Sequence, residues 1–303
     1  MSNIAFLFPG QGAQTVGMAA ELVSQLPAAA ALFQQASDIL GYDLAELCSK
    51  GPVETLNSTD HSQPALFVAS LAALESLKAT DSETVDACHA TAGLSLGEYT
   101  ALVFAGVMSF EDGLRVVQQR GLAMQAAAQQ ADSTMVSLLG MSAPEVQQLV
   151  DTCRQEGEVL EIANLLCPGN IVVSGSRNSC EQIQTAAVEA GAMKAIGLAV
   201  AGAFHTDIMQ PAVEPLRQVL ESVTFHPPRV PVVSNVDATI HSDPEQIRQH
   251  LVKQVVSPVL WEESMNTLLA AGTDQFYEIG PGRVLRGLLR RIARKTPCEN
   301  ISC

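Results

Sequence analysis

Ser95 lies between two glycines in residues 93–97, which read Gly-Leu-Ser-Leu-Gly. A short apolar segment precedes this stretch and a helical pattern follows it, so the serine falls at a predicted strand-to-helix turn. Glycines permit a turn too sharp for side chains, and the free N–H groups and dipole of the following helix face any negative charge that develops there. The pattern predicts a nucleophilic serine. Its alternative is a glycine-flanked turn whose serine caps a helix.

A nucleophilic serine needs a base, and histidine is the side chain most often used. The six histidines of the chain are His61, His89, His205, His226, His241 and His250. His205 stands out because it follows a predicted strand and precedes a predicted helix, at a junction that would face a cleft between two domains. His226, His241 and His250 lie in polar loops or on a charged helix face, where solvated surface residues are expected. We therefore predict that His205 is the base.

Arg120 lies beside Gly121 on a predicted, largely apolar helix. A surface arginine on a helix is usually a solvated charge. An arginine next to glycine on an apolar helix can instead reach into a pocket and hold a carboxylate with two N–H bonds. Arg120 is therefore a candidate anchor for an acidic substrate.

Residues 8–14, FPGQGAQ, form a glycine-rich turn after the first predicted strand. Such a turn could bring the backbone N–H of Gln11 close to a substrate. It is not a phosphate-binding loop, because Thr15 occupies the final glycine position of Gly-x-Gly-x-x-Gly and no Lys-Ser/Thr pair follows. A second turn at residues 278–283, EIGPGR, is interpreted as structural.

Composition excludes several classes of protein. The 303 residues carry a net charge of −15, which argues against a general nucleic-acid binder. No segment approaches the roughly 20 apolar residues of a membrane span, so no membrane association is expected, and the N-terminus is typical of a strand rather than a signal peptide. The seven cysteines contain no Cys-x-x-Cys pair, which indicates a reducing compartment, the cytoplasm, without a disulfide framework, zinc site or other metal centre.

Alternating strand and helix patterns predict an α/β fold in two domains. Residues 1–130 and 201–303 are predicted to form a large, α/β-hydrolase-like domain with a parallel-sheet core, including strands at 4–8, 87–92, 230–234 and 275–279. Residues 131–200 are predicted to form an inserted small domain, whose β-α-β-β-α-β order is the ferredoxin-like α+β plan. Its elements are strand 134–139, helix 144–154, strands 159–163 and 171–174, helix 179–190 and strand 194–200.

Taken together, these segments resemble the malonyl-CoA:acyl-carrier-protein transacylase family over nearly the whole chain. The nucleophile turn, Arg120-Gly121 and Ala203-Phe204-His205 match the family's motifs in order. Further matching segments are residues 8–14, 41–44, 63–66, 232–237 and 277–282. The set is far more specific than any single motif.

The resemblance implies a role for each site residue. Ser95 would form a malonyl ester, and His205 would take the serine proton and later activate the phosphopantetheine thiol. The resemblance also implies that the main-chain carbonyl of Gln254 orients the histidine. The remaining implied roles are an oxyanion hole from the N–H groups of Gln11 and Leu96, carboxylate binding by Arg120, and a substrate pocket that includes Phe204, Asn164 and Met124.

Three positions depart from the family pattern. Leu94 stands where the family usually has histidine before the nucleophile, which changes the polarity of the pocket but not the base. In the small domain, Leu166 replaces the second asparagine of the motif Asn-x-Asn-x-Pro-Gly-Gln, and Asn170 replaces its glutamine. These two changes weaken the expectation of polar substrate contacts from that loop.

The expected function is transfer of malonyl from malonyl-CoA to acyl carrier protein in fatty acid synthesis, by a monomer without a cofactor. An acyltransferase for a polyketide or malonate decarboxylase carrier has the same chemistry. A serine thioesterase or hydrolase would need an acid between Ser95 and His205, and Asp112, Asp132 and Asp151 lack strand-end placement. A non-catalytic docking scaffold is a third alternative. The basic residues in 283–295 could dock an acidic carrier or simply face solvent.

Overall fold

Two separate β-sheets organise residues 3–303, the part of the chain that this computed structural model describes. Their strands are β1 Ile4–Phe8, β2 Cys88–Gly93, β3 Ser133–Leu139, β4 Leu160–Cys167, β5 Asn170–Ser176, β6 Lys194–Gly197, β7 Val232–Val233, β8 Gln275–Ile279 and β9 Cys298–Ile301. The larger sheet has the order β7-β2-β1-β8-β9 with parallel pairing throughout. The smaller sheet has the order β4-β5-β3-β6 and is antiparallel.

Helices cover the sheets and connect their strands. They are α1 Ala20–Gln25, α2 Pro27–Leu40, α3 Leu44–Lys50, α4 Val53–Asn57, α5 Thr59–Thr80, α6 Ser82–Asp86, α7 Leu96–Phe104, α8 Phe110–Ala128, α9 Ala143–Cys153, α10 Arg177–Glu189, α11 Gln210–Glu221, α12 Pro244–Gln254, α13 Trp261–Ala270 and α14 Val284–Ile292. A single 3₁₀ turn, Asp207–Met209, precedes α11. No helix in the described range combines the length and apolar character needed to cross a bilayer.

The parallel sheet brings several loops to one edge. β1, with the sequence IAFLF, is buried at every residue and pairs with both β2 and β8, as expected for a central strand covered on both faces. Because the strands are parallel, their carboxyl ends lie side by side. The glycine-rich turn after β1, the Ser95 turn after β2 and the turn after β8 therefore meet at this edge.

The smaller sheet confirms the predicted ferredoxin-like order. The elements follow one another in the order β3-α9-β4-β5-α10-β6. Buried apolar side chains between this sheet and its two helices form a separate hydrophobic core. Two hydrogen bonds join β4 to the segment between α12 and α13. The N–H of Leu165 donates to the carbonyl of Val259, and the N–H of Val259 donates to the carbonyl of Ala163. The domain boundaries at residues 131 and 200 stay a prediction.

Several elements differ from the sequence-based prediction. The strand predicted over 230–234 shrinks to β7, and the helix predicted from 206 begins as the 3₁₀ turn. The strand predicted over 194–200 ends at Gly197. β9 was not predicted, because its sequence CENI lacks a buried apolar run and forms only the edge of the sheet.

Candidate active site

Ser95 occupies a strained turn between β2 and α7. Its backbone has φ 51° and ψ −100°, and its side chain does not cap the helix. A Cβ on Gly93 would lie 1.9 Å from the carbonyl carbon of Gly97, and a Cβ on Gly97 would lie 2.0 Å from the carbonyl oxygen of Phe8. Only glycine fits at both positions. Because the Ser95 side chain makes no capping bond, the capping alternative fails and the hydroxyl is free for other partners.

His205 meets Ser95 as predicted. The Nε2 atom lies 2.9 Å from Ser95 Oγ, and Nδ1 lies 2.8 Å from the main-chain oxygen of Gln254. A carbonyl can only accept, so Nδ1 carries the proton and Nε2 is left as an acceptor toward the hydroxyl. Burial, and secondarily the charge of Arg120, lower the pKa of His205 to about 4. The imidazole is therefore neutral at physiological pH.

Arg120 is only 1% exposed and its guanidinium faces Ser95. Its guanidinium donates to Gln63 Oε1 at 2.8 Å, to Ser95 Oγ at 3.0 Å and to Gln254 Oε1 at 3.0 Å. The Tyr99 ring lies 5.1 Å from Arg120 Cζ. Within residues 3–303 no carboxylate lies within 4 Å of this cation, and its Nε atom has no hydrogen-bond acceptor. A buried cation held by neutral groups is prepared to bind an anion.

A buried network that the sequence did not predict supports the turn. The Gln254 side chain donates to the carbonyl of Ser95 at 3.0 Å and to Glu98 Oε2 at 2.6 Å. The backbone N–H of Asn235 also donates to Glu98. The Asn235 side chain accepts from the N–H of Ser95 and donates to the carbonyl of Gly93. Burial raises the pKa of Glu98 to about 7 against the opposing effect of its hydrogen bonds. The only sequence signal for Glu98 and Asn235 was that each lies in or next to a segment that resembles a family motif.

Gln11 and Leu96 lie beside Ser95 and have unused backbone donors. Both residues line the cavity that Ser95 faces. Within the described residues, neither N–H group donates to a protein acceptor. The turn that carries Gln11 is held by a side chain of its own segment, because Gln14 Oε1 accepts from the N–H of Gly12 at 2.7 Å. Two free amides next to a serine nucleophile can stabilise a developing oxyanion.

The predicted pocket residues Phe204, Asn164 and Met124 all line the same cavity, whose volume is about 230 Å³. Leu94 and Leu166, at two of the departures from the family pattern, line it as well, so these changes make its wall more apolar. Asn170 does not line it, and its side chain accepts from Ser137 Oγ instead. The cavity lies between loops of the parallel sheet and strands of the antiparallel sheet.

The acid that a hydrolase triad would need is absent beside His205 in the described chain. Gln254 occupies Nδ1, the position at which such an acid would act. Asp112, Asp132 and Asp151 each pair with an exposed arginine elsewhere. The geometry therefore disfavours the serine hydrolase alternative.

Comparisons with known proteins identify the family of this chain. A family model described as the acyl transferase domain matches residues 5–301. The malonyl CoA-acyl carrier protein transacylase of Bacillus subtilis is 44% identical over 295 residues, which cover 97% of this chain and 92% of the relative. The solved transacylase of that name from Coxiella burnetii has a TM-score of 0.94 at 36% identity and covers 99% of this chain and 94% of its own.

A further solved structure is a complex between a type II polyketide synthase acyl-carrier protein and its malonyl-transacylase. The matched chain has a TM-score of 0.94 at 39% identity, covering 100% of this chain and 96% of its own. Matches of this extent include every element that positions the site. This chain belongs to the acyl transferase family, among the malonyl-CoA–acyl carrier protein transacylases.

Proposed function

We propose that this protein transfers a malonyl group from malonyl-CoA to the phosphopantetheine thiol of acyl carrier protein, in fatty acid biosynthesis, through a malonyl ester on Ser95. One observation carries the proposal: a buried guanidinium that has no carboxylate partner among residues 3–303 lies 3.0 Å from Ser95 Oγ. An acyl group on Ser95 would be held there by its free carboxylate. An acetyl group has no such carboxylate, so Arg120 would distinguish malonyl from acetyl.

In the first half-reaction, Ser95 Oγ attacks the thioester carbonyl while His205 Nε2 takes its proton. The carbonyl oxygen becomes an oxyanion and accepts from the N–H groups of Gln11 and Leu96. The C–S bond then breaks, and His205 returns the proton to the sulfur of coenzyme A. The product is a malonyl ester on the serine, and no atom or proton is left over.

In the second half-reaction, the same groups act on the carrier thiol. His205 takes the thiol proton, the sulfur attacks the ester carbonyl, and the same amides stabilise the oxyanion. The C–O bond breaks and the proton returns to Ser95. These steps need no cofactor, and one chain supplies every residue named, which is the basis for proposing a monomer.

The orientation of His205 favours transfer over hydrolysis. Burial and the charge of Arg120 lower the pKa of the imidazole to about 4, and the neutral carbonyl of Gln254 offsets only part of that lowering, whereas a carboxylate partner would offset more. A weak base removes a proton from a thiol, whose pKa is about 8.5, far more readily than from water, which is a much weaker acid. The apolar wall formed by Leu94 and Leu166 adds to this discrimination by disfavouring water.

We assign carrier docking to the surface around α14. Its first residue, Val284, lines the active-site cavity and is 47% exposed. The exposed basic residues there are Arg283, Arg286, Arg290, Arg291, Arg294 and Lys295. The rest of the chain has a large excess of acidic over basic residues, so an acidic carrier would be attracted to this basic surface. We also place the reaction in the cytoplasm, since all seven cysteines are free thiols.

A polyketide carrier is the second candidate acceptor, because a relative of 39% identity was solved with such a protein. The deciding experiment incubates the enzyme and malonyl-CoA with holo-carriers of fatty acid and polyketide type and follows the mass of each carrier. We expect malonylation of the fatty acid carrier at the higher kcat/KM. The apo form, which lacks the thiol, is the control. Release of free malonate without carrier malonylation would contradict the proposal.

A further inference from the structure

Asp237, His241 and His250 converge on the side of α12 away from the substrate cavity. Asp237 and His241 lie in the loop after β7, and His250 lies on α12. His241 Nε2 is 2.8 Å and His250 Nδ1 is 3.7 Å from Asp237 Oδ2, and all three ligand atoms lie within 4.8 Å of one another. The two imidazole rings meet edge to face at 4.2 Å.

Hydrogen bonds engage two of the three inward-facing atoms of the cluster, Asp237 Oδ2 and His241 Nε2, and leave the third without a partner in the described residues. Asp237 Oδ1 accepts from the N–H of Thr239 at 3.1 Å, which leaves Oδ2 turned toward the histidines. His241 Nε2 donates to Asp237 Oδ2 and also lies 2.9 Å from Thr239 Oγ1, so a bound ion would replace these contacts. His241 Nδ1 lies 3.4 Å from Gln246 Oε1, which would accept its proton once Nε2 binds the ion. His250 Nδ1 is buried and has no hydrogen-bond partner among the described residues. An unpaired buried nitrogen is costly unless a ligand satisfies it.

We propose that Asp237, His241 and His250 bind a divalent transition-metal ion of the zinc class. Two imidazoles and one carboxylate form a donor set that zinc prefers and that magnesium and calcium do not. Ligand atoms about 2.0–2.1 Å from a tetrahedral ion lie about 3.3 Å apart, and the observed 2.8 and 3.7 Å bracket that separation. A cavity of about 10 Å³ adjoins both rings, about the space that one water molecule needs as a fourth ligand.

The role of this ion is structural. It would join the loop that carries Asn235 to the helix that ends at Gln254, and both of these residues hold the Ser95 turn. Neither histidine lines the substrate cavity, so the ion takes no part in acyl transfer. No sequence pattern indicates this site, because its ligands come from two segments without a metal-binding spacing.

Metal titration of the intact, metal-free protein tests the site. We expect uptake of one Zn²⁺ per chain by calorimetry, at least tenfold weaker binding in His250→Ala and in His241→Ala, and no comparable uptake of Mg²⁺. His226→Ala, which removes an exposed histidine elsewhere, is the matched control and is expected to bind like the parent. Co²⁺ in the same site should absorb without the strong thiolate band that any of the seven cysteines would give.

Thermal unfolding provides an independent readout. Zn²⁺ is expected to raise the Tm of the parent and of His226→Ala, because it binds the folded state, and to leave the Tm of His250→Ala unchanged. Asp237→Asn keeps the side-chain shape and serves if an alanine variant fails to fold. No uptake by the parent, equal uptake by all variants, or a thiolate band with Co²⁺ would each overturn the proposal.

Discussion

At the scale of single residues, two hydrogen bonds determine where the hydroxyl proton of Ser95, the proposed nucleophile, points. Ser95 Oγ lies 3.0 Å from Arg120 Nη2 and 2.9 Å from His205 Nε2. Arginine can only donate, so the hydroxyl accepts from Arg120 and directs its own hydrogen to the imidazole. A substrate carboxylate would take over the arginine donor, which frees a lone pair of the serine oxygen at the moment when the acyl group is in place.

Replacing Arg120 should abolish the preference for malonyl. A charged hydrogen bond contributes about 1.5–3 kcal/mol, so Arg120→Ala is expected to lower kcat/KM for malonyl-CoA by about tenfold to a hundredfold or more. The rate with acetyl-CoA should change far less. Arg115→Ala, an exposed arginine on the same helix, is the control. Equal losses with both thioesters would indicate damage to the serine rather than loss of an anchor.

The low pKa of His205 predicts the acid limit of acylation. Burial disfavours the imidazolium, so the neutral base persists below pH 6.5, the ordinary histidine pKa, and is lost as the pH falls through about 4. The rate of Ser95 acylation against pH in single-turnover experiments, with circular dichroism to verify folding at each pH, measures this limit. A decline centred near 6.5 would contradict the assignment.

The sequence predicts some residue roles and misses others for a physical reason. Ser95, His205 and Arg120 carry chemistry in their side-chain type and local context, so motif and junction were sufficient to select them as candidates. Glu98 and Asn235 act only through contacts with distant residues, such as the bond from Ser95 N–H to Asn235, 140 positions apart. No local pattern encodes such a contact.

At the scale of elements, the site depends on how closely α7 approaches β1. Gly97 lies against the Phe8 carbonyl, and this contact aligns the serine turn with the Gln11 turn. Buried and strongly periodic elements such as β1 and α8 were predictable from the sequence to within a residue. β7 and β9 were not, since a two-residue strand and a polar edge strand have too few buried positions to produce a pattern.

Adding one methyl group at Gly97 should disrupt this alignment. In Gly97→Ala the new Cβ would lie 2.0 Å from backbone, so we expect a loss of roughly 1–3 kcal/mol in the free energy of unfolding and a larger loss of acylation. Gly287→Ala is the control, because its Cβ meets no atom within 4 Å on the exposed face of α14. That variant should gain up to about 1 kcal/mol. Equal stability of the two variants would refute the close-packing argument.

At the scale of the whole molecule, charge is distributed unevenly. The chain has 32 acidic and 17 basic residues, yet six of the basic ones lie between positions 283 and 295. This basic surface begins beside the opening of the active-site cavity, where a carrier must deliver its thiol. Net charge and clustering were visible in the sequence, whereas the proximity of the cluster to the cavity required the fold.

Reversing charge on α14 should weaken carrier transfer. The double variant Arg286→Glu/Arg290→Glu is expected to lower kcat/KM for holo-carrier about tenfold at low salt, and the deficit should shrink as salt screens the interaction. Arg154→Glu/Arg177→Glu changes the net charge equally at two exposed sites of the antiparallel-sheet region and is the control. Transfer that is unchanged in the α14 variant, or reduced equally in the control, would refute docking at this surface.

The intact mass of the protein after mixing with an acyl-CoA tests the central claim most directly. With malonyl-CoA we expect a single malonyl adduct, absent in Ser95→Ala and released on addition of holo-carrier. With acetyl-CoA or methylmalonyl-CoA we expect little adduct, since the first lacks the carboxylate that Arg120 binds and the second must fit its methyl branch beside Phe204. A malonyl adduct that persists in Ser95→Ala, or equal labelling by acetyl-CoA, would contradict the account.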